Sequence, residues 1–276
     1  MKMKKLAFGL AAFALISCAF AANAREQNKP KSKNPEAQNL IDKAWSALDQ
    51  DMTLKEIDES IKYLKQALEL DPNNDEILVE LADEYYQRGN QMPRNSDSDY
   101  EARNKYFEPG HEAALKALSI KETAGAHFWV AGNLSAMNEN SSIIKQASMF
   151  PEIIGHVNWI EEHDRDYKYG AAARMGSKIA SRVPDILIGM VGYDTEKIST
   201  GLDEAIASEP RFIDNYVYKA EFHNRMGKTN EALDMLDQAL KMDPEAFPEE
   251  RAYNRFAQRE AKKFWKEWTG KEYPNR

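Results

Sequence analysis

Cysteine is all but missing from this chain of 276 residues, whose one copy is Cys18 near the N-terminus. Beyond that position no disulfide can form and no cysteine can act as a nucleophile, so packing alone must hold the fold together. Long apolar runs are short too: residues 6–16 (LAFGLAAFALI) make a run of eleven, against about 20 for a membrane span. Sustained polar–apolar alternation, the mark of half-buried strands, does not occur. Nor is there a GxGxxG or Walker loop to cradle phosphates, or a GxSxG elbow to present a serine, so no cofactor is expected. Positive charge is in deficit as well. The formal net charge is −8, and −11 once Lys2, Lys4 and Lys5 of the first 24 residues are set aside. Such a chain has little means of neutralising phosphates, which argues against nucleic acid as a partner.

What is present begins with a targeting segment. Three lysines within the first five residues precede the apolar run, whose length suits a secretory signal. Two cleavages fit. Residues 1–24 form a signal peptide if Ala22-Asn23-Ala24 is the small-x-small site, leaving a soluble periplasmic protein. Alternatively Leu15-Ile16-Ser17-Cys18 resembles a bacterial lipobox, with a signal over 1–17 and lipid on Cys18, anchoring the protein to the envelope membrane facing the periplasm. Residues 25–36 (REQNKPKSKNPE) read as a flexible polar tether, and 37–276 as the folded domain.

That domain is written by repetition. Pro244 of KMDPEAF stands 34 positions after Pro210 of SEPRF, Ala239 matches Ala205, and Leu236 matches Leu202. The phrase KQALELDPNN (65–74) sets Leu64, Ala67 and Pro72 at the same offsets, 138 residues before Pro210, close to four periods. A period of 34 with helix–turn–helix patterning is the signature of the tetratricopeptide repeat. Small residues are required where paired helices approach, and Ala220 and Ala232 hold those places in the last copy, with Gly227 supplying a left-handed turn between them. In the first copy Leu78, Leu81, Ala82 and Tyr85 fall at i, i+3, i+4 and i+7, one apolar helix face.

The pattern predicts helices over 36–49, 54–70, 75–88, 100–119, 123–138, 150–163, 168–183, 192–208, 212–226, 229–242 and 249–268, with 89–99 and 138–144 as intervening loops. The expected fold is all-α: a right-handed superhelical array of antiparallel helix pairs. The last helix, with Tyr253, Phe256, Phe264, Trp265 and Trp268, breaks the repeat and reads as a cap over the open apolar edge. A basic helix lying on a membrane is the competing reading.

Candidate chemistry is thin. His156 and His163 are seven apart on one predicted helix beside several acids, a spacing open to a divalent metal, although a solvated acidic helix end accounts for it more simply. His111-Glu112 begins HEAAL and so fails the HExxH zinc motif at its last residue. No metal site is expected. The aromatics Phe128, Trp129, Trp159 and Tyr169 are candidates for lining an apolar cleft, with plain core as their alternative. Arg174, set among Gly170, three alanines and Gly176, must either find a paired acid or carbonyl or face a cavity.

The stretches HFWVAGNLSAM (127–137) and FPEIIGHVNWIEEHDRDYKYGAAARMGSKIASRVPD (150–185), with the two terminal repeats, resemble the TatT family of periplasmic T components associated with TRAP transporters. Tyr169-Gly170-Ala171-Ala172-Ala173-Arg174-Met175-Gly176 carries most of that likeness. The resemblance implies a tetratricopeptide-like array around a pore or cleft, cooperating with a TRAP-type periplasmic substrate-binding protein and holding an apolar ligand. It brings no catalytic residue, so the expected protein is a non-enzymatic binder. A cell-envelope scaffold with no ligand of its own is the alternative; a polar groove in place of an apolar channel would favour it.

Overall fold

The computed structural model describes residues 29–48, 51–182 and 195–274. The signal segment, Cys18 and the start of the tether therefore lie outside the described residues. So do 49, 183 and 192–194, at the ends of three predicted helices.

Among the described residues eleven helices follow one another, and no strand occurs. They are α1 (Pro35–Ala47), α2 (Leu54–Leu70), α3 (Asp75–Asn90), α4 (Asp97–Ile120), α5 (Ala124–Met137), α6 (Ile143–His163), α7 (Ala171–Arg182), α8 (Thr195–Ser208), α9 (Ile213–Arg225), α10 (Thr229–Lys241) and α11 (Arg251–Thr269). Local chemistry sets most of the starts. Asn34, Thr53, Asn74, Ser96, Thr123 and Ser142 each turn a side-chain oxygen onto an N–H of the first turn, and Thr53 with Glu56 completes a capping box. Residues 29–34, within the stretch read as tether, are tied to the α2–α3 turn. The Lys31 amide donates to Glu76, Ser32 Oγ to Asp71, and Asn74 Nδ2 to the Lys31 carbonyl.

The cores succeed one another along the array. Ile41, Ile57, Leu64 and Ile77 join α1, α2 and α3, and Leu78, Ala114 and Val130 join α3, α4 and α5. Leu134, Ile154, Ile160 and Ile179 join α5, α6 and α7; Ala180, Leu202 and Phe222 join α7, α8 and α9. Ile213, Val217, Leu236 and Ala257 join α9, α10 and α11. Each helix thus shares its apolar face only with near neighbours, which is how a superhelical repeat array is built. The repeat alanines Ala67, Ala82, Ala205, Ala220, Ala232 and Ala239 are all buried. Gly227 takes φ +76°, its N–H bonded to the Asn224 carbonyl and the next amide to His223. Helix α11 lays Phe264, Trp265 and Trp268 against the last core, as a cap does.

Three boundaries depart from expectation. Helix α6 begins at Ile143 and not at 150, because the Ser142 cap starts it and the chain passes through Pro151 without stopping. Helix α3 runs on through Gly89 to Asn90, where a Cβ on Gly89 would fall 2.5 Å from the Phe107 ring. The loop expected over 89–99 thereby shrinks to 91–96. Helix α7 starts at Ala171 because residues 167–169 form a 3₁₀ turn ending in left-handed backbone.

The array also curls back on itself. Arg259 Nη2 donates to the Asp51 carbonyl, Arg255 pairs with the Asp51 carboxylate, and Tyr253 Oη donates to Asp83 of α3, 170 positions earlier in the chain.

Candidate functional site

A cleft of about 490 Å³ lies where the two ends of the array meet. Trp45 of α1, Leu48 just after it, Met52, Val79 of α3 and Ala124 of α5 give it an apolar strip. Eight acids also line it: Asp75, Glu76, Glu80 and Glu84 come from α3, Asp164 and Asp166 follow α6, and Glu249 and Glu250 precede α11. Against these eight carboxylates the lining has two lysines, Lys121 and Lys168. Apolar atoms still make up the larger part of the lining, with Pro30, Tyr167, Tyr169, Ala252 and Tyr253 adding to the strip.

Set into the wall is a charged knot centred on the buried Asp83 carboxylate. The Lys168 ammonium pairs with the Asp83 carboxylate, which also accepts from Tyr253 Oη at 2.9 Å. The ammonium lies 5.3 Å from the Trp129 ring centre and 5.5 Å from that of Tyr253, within cation–π range. Burial opposes its charge, but Asp83, Tyr253 and Tyr167 outweigh burial and hold Lys168 well above the usual lysine range. Glu84 is 1% exposed and its Oε2 has no hydrogen-bond partner. Burial first, then Asp83 and Glu80 on the same helix, push its carboxyl well above the ordinary glutamate value, with Lys168 pulling the other way. Burial likewise raises the Tyr167 phenol to about 12.

Lys168 is aimed into this knot by unusual backbone. Lys168, Tyr169 and Gly170 take φ of +40°, +58° and +88° in succession, and each non-glycine residue held there costs about 1–3 kcal/mol. Arg174 holds the turn in place. Its guanidinium donates to the Lys168 carbonyl at 2.7 Å, to the Tyr169 carbonyl at 3.0 Å and to Asn215 Oδ1 at 2.7 Å, and it covers the Phe212 ring. Asn215 Nδ2 adds a second bond to the Tyr169 carbonyl. Gly170 is required twice over, by its φ and because a Cβ there would lie 2.5 Å from that of Ala205.

Of the five sequence candidates only Tyr169 borders the cleft, with its hydroxyl 3.3 Å from Glu250. The other four are corrected. Arg174 is spent on carbonyls of the turn and is 5% exposed. Trp129 is 3% exposed in the α3–α5 core, with Phe128 edge-on to it. Trp159 stacks between His127 and His163 on the α5–α6 face. His156 meets His127, their Nδ1 atoms 2.6 Å apart, so one ring donates and the other accepts; burial holds both imidazoles below their usual value. His163 is turned away to the Trp159 carbonyl, and among the described residues no three His, Cys, Asp or Glu side chains are placed to hold one metal ion.

Sequence reasoning missed the residues that shape the cleft: Asp83, Glu84, Lys168 and Tyr253. The one available signal was LADEYY, where two acids directly follow Leu81 and Ala82 of the buried face.

The family model described as TRAP transporter T-component matches residues 76–269. The chain belongs to that family. A tetratricopeptide-repeat model matches residues 52–74, just ahead of the T-component match. Among solved structures, a thermophilic TPR protein of Thermus thermophilus superposes with a TM-score of 0.51 at 16% identity, covering 74% of this chain and 91% of its own. At that identity it speaks for the fold alone. YrrB, described as a TPR protein with an unusual peptide-binding site, covers 72% of this chain and 84% of its own at 17% identity, with a TM-score of 0.35 that carries no argument. No curated protein sequence matches this T-component. No helix among its described residues is long and apolar enough to cross a membrane.

Proposed function

We propose that this chain is a non-enzymatic envelope protein that docks a TRAP-type periplasmic substrate-binding protein and offers the cleft between its ends as a compartment for that system's small ligand. Family membership over residues 76–269 carries the reading. The cleft supports it. At about 490 Å³ it has the size of an ordinary small-molecule site, and it sits where distant parts of the array converge. The protein works in the periplasm, either free after cleavage behind Ala24 or held through lipid on Cys18. An apolar ligand body fits the strip that includes Leu48 and Val79, whereas a free carboxylate on that body would meet like charge from the acids beside it.

Mild cross-linking in the native envelope, followed by affinity capture and mass spectrometry, tests the docking. A TRAP-type substrate-binding protein among the captured species supports it. Recovery of envelope assembly or secretion machinery in its place would leave the fold standing and make the chain a scaffold.

A further inference from the structure

Two carboxyl groups that line the cleft, from different elements, lack hydrogen-bond partners. Glu84, on α3, is 1% exposed, lines the cleft and leaves Oε2 unsatisfied. Glu249, on the 3₁₀ turn before α11, leaves both carboxylate oxygens buried without a donor. Buried carboxylates in this condition are costly, and a donor arriving from outside relieves them.

We propose that the cleft binds an elongated organic cation of the aliphatic diamine or polyamine class, with one ammonium received at Glu84, another at Glu249, and the methylenes between them lying on the apolar lining that includes Leu48 and Val79. This rests on reading the cleft as a ligand compartment and is independent of partner docking.

The arrangement selects among cations. A metal ion needs its carboxylates gathered on one point, and among the described residues no such group exists. Here the acids come from α3, from the end of α6 and from the turn before α11, spread along a wall. Charges spaced along a flexible chain match that spread. The protein already holds one alkylammonium in this manner. Lys168 reaches Asp83 with Trp129 and Tyr253 rings beside it, and so neutralises Asp83 but not Glu84. Tyr167 and Tyr169 also border the cleft and provide further ring faces. In the ligand-free protein burial, then Asp83 and Glu80, raise the Glu84 carboxyl against the pull of Lys168, and the Tyr253 phenol faces it as well. An ammonium at Oε2 supplies the hydrogen-bond donor that this oxygen lacks.

The test is calorimetric titration of the full chain with spermidine, 1,5-diaminopentane, hexanoate and Ca²⁺ at physiological ionic strength, where screening removes diffuse attraction to an acidic surface. Saturable one-to-one binding of spermidine is expected, weaker for the diamine and absent for hexanoate. Loss of one charge-assisted contact in Glu84→Gln or Glu249→Gln should weaken spermidine about tenfold. Circular dichroism confirms folding, and should one variant fail to fold the other reads the effect. No spermidine binding, or equal binding by wild type and the folded variants, overturns the proposal. So does tighter binding of hexanoate, which would make the site an apolar-acid pocket, or displacement of spermidine by stoichiometric Ca²⁺, which would make it a metal site. If spermidine binds while envelope capture finds no substrate-binding protein, only the docking reading falls.

Discussion

At the scale of single residues, the cleft is a place where side chains work against stability. Glu84 illustrates the sign. Its carboxyl is raised well above the ordinary value, chiefly by burial, while in the unfolded chain it titrates near about 4.3. Between those two values the folded chain holds a proton that the unfolded chain has released. Stability from this group is therefore lost as pH climbs from the unfolded value toward the folded one. Glu84→Gln, with nothing to titrate, should melt above wild type at about pH 8 and lose that advantage near about pH 4. A variant that melts below wild type at the higher pH would show that Glu84 is satisfied in a way its geometry does not reveal. Arg174 works in the opposite sense. Its three short bonds to the Lys168 and Tyr169 carbonyls and to Asn215 require a planar fork, which lysine cannot offer. Arg174→Lys should cost about 2–3 kcal/mol in denaturant unfolding, since it leaves buried acceptors unpaired. A loss under about 0.5 kcal/mol, the level of an ordinary surface change, would mean the left-handed turn stands without it. That Arg174 needed partners was legible in its apolar surroundings. That its partners would be the carbonyls of its own preceding turn was not, because left-handed φ at Lys168 and Tyr169 has no signature in a lysine or a tyrosine.

At the scale of elements the sequence was most transparent, because each helix declares its inner face by period and its ends by caps. The exceptions have physical reasons. The expected start at 150 left out the turns of α6 that precede Pro151, which begin at the Ser142 cap. The loop expected from 89 left Gly89 outside α3, yet Gly89 serves close packing against Phe107 within that helix. The repeat register itself is testable. Ala220 and Ala232 are both 0% exposed, on α9 and α10, where those helices pair. Leucine at either position should overpack the pair and lower stability by about 1–3 kcal/mol. If both variants melt with wild type, the α9–α10 contact is not made through these faces.

At the scale of the whole molecule, period and pattern are silent. A 34-residue repeat says that neighbours stack, but nothing in it says that α11 returns to α3 and brings Tyr253 to Asp83. Those contacts join residues 170 to 208 positions apart and are made by ordinary tyrosine, arginine and aspartate. The cleft exists only through this return, which is why its lining was missed while the fold was not. Two kinds of contact share the closure and should differ in weight. The pairing of Arg255 and Arg259 with Asp51 is solvent-exposed, and exposed pairs of this kind contribute little. The bond from Tyr253 ends on Asp83, whose side chain is 2% exposed and carries the Lys168 pair as well. Serine at both arginines should therefore leave the denaturant midpoint where it is. Tyr253→Phe should cost about 1.5 kcal/mol, the worth of a hydrogen bond to a buried charged acceptor. Lys168→Met should cost about 3 kcal/mol, because it strands the Asp83 charge, at the low end for a broken buried pair since Lys168 keeps some contact with water. Adding Asp83→Asn to Lys168→Met should recover most of that loss by removing the stranded charge. If the arginine variant proves the damaging one and the Asp83 series proves silent, closure is held at the rim, and the buried knot is a consequence of the curl and not its cause.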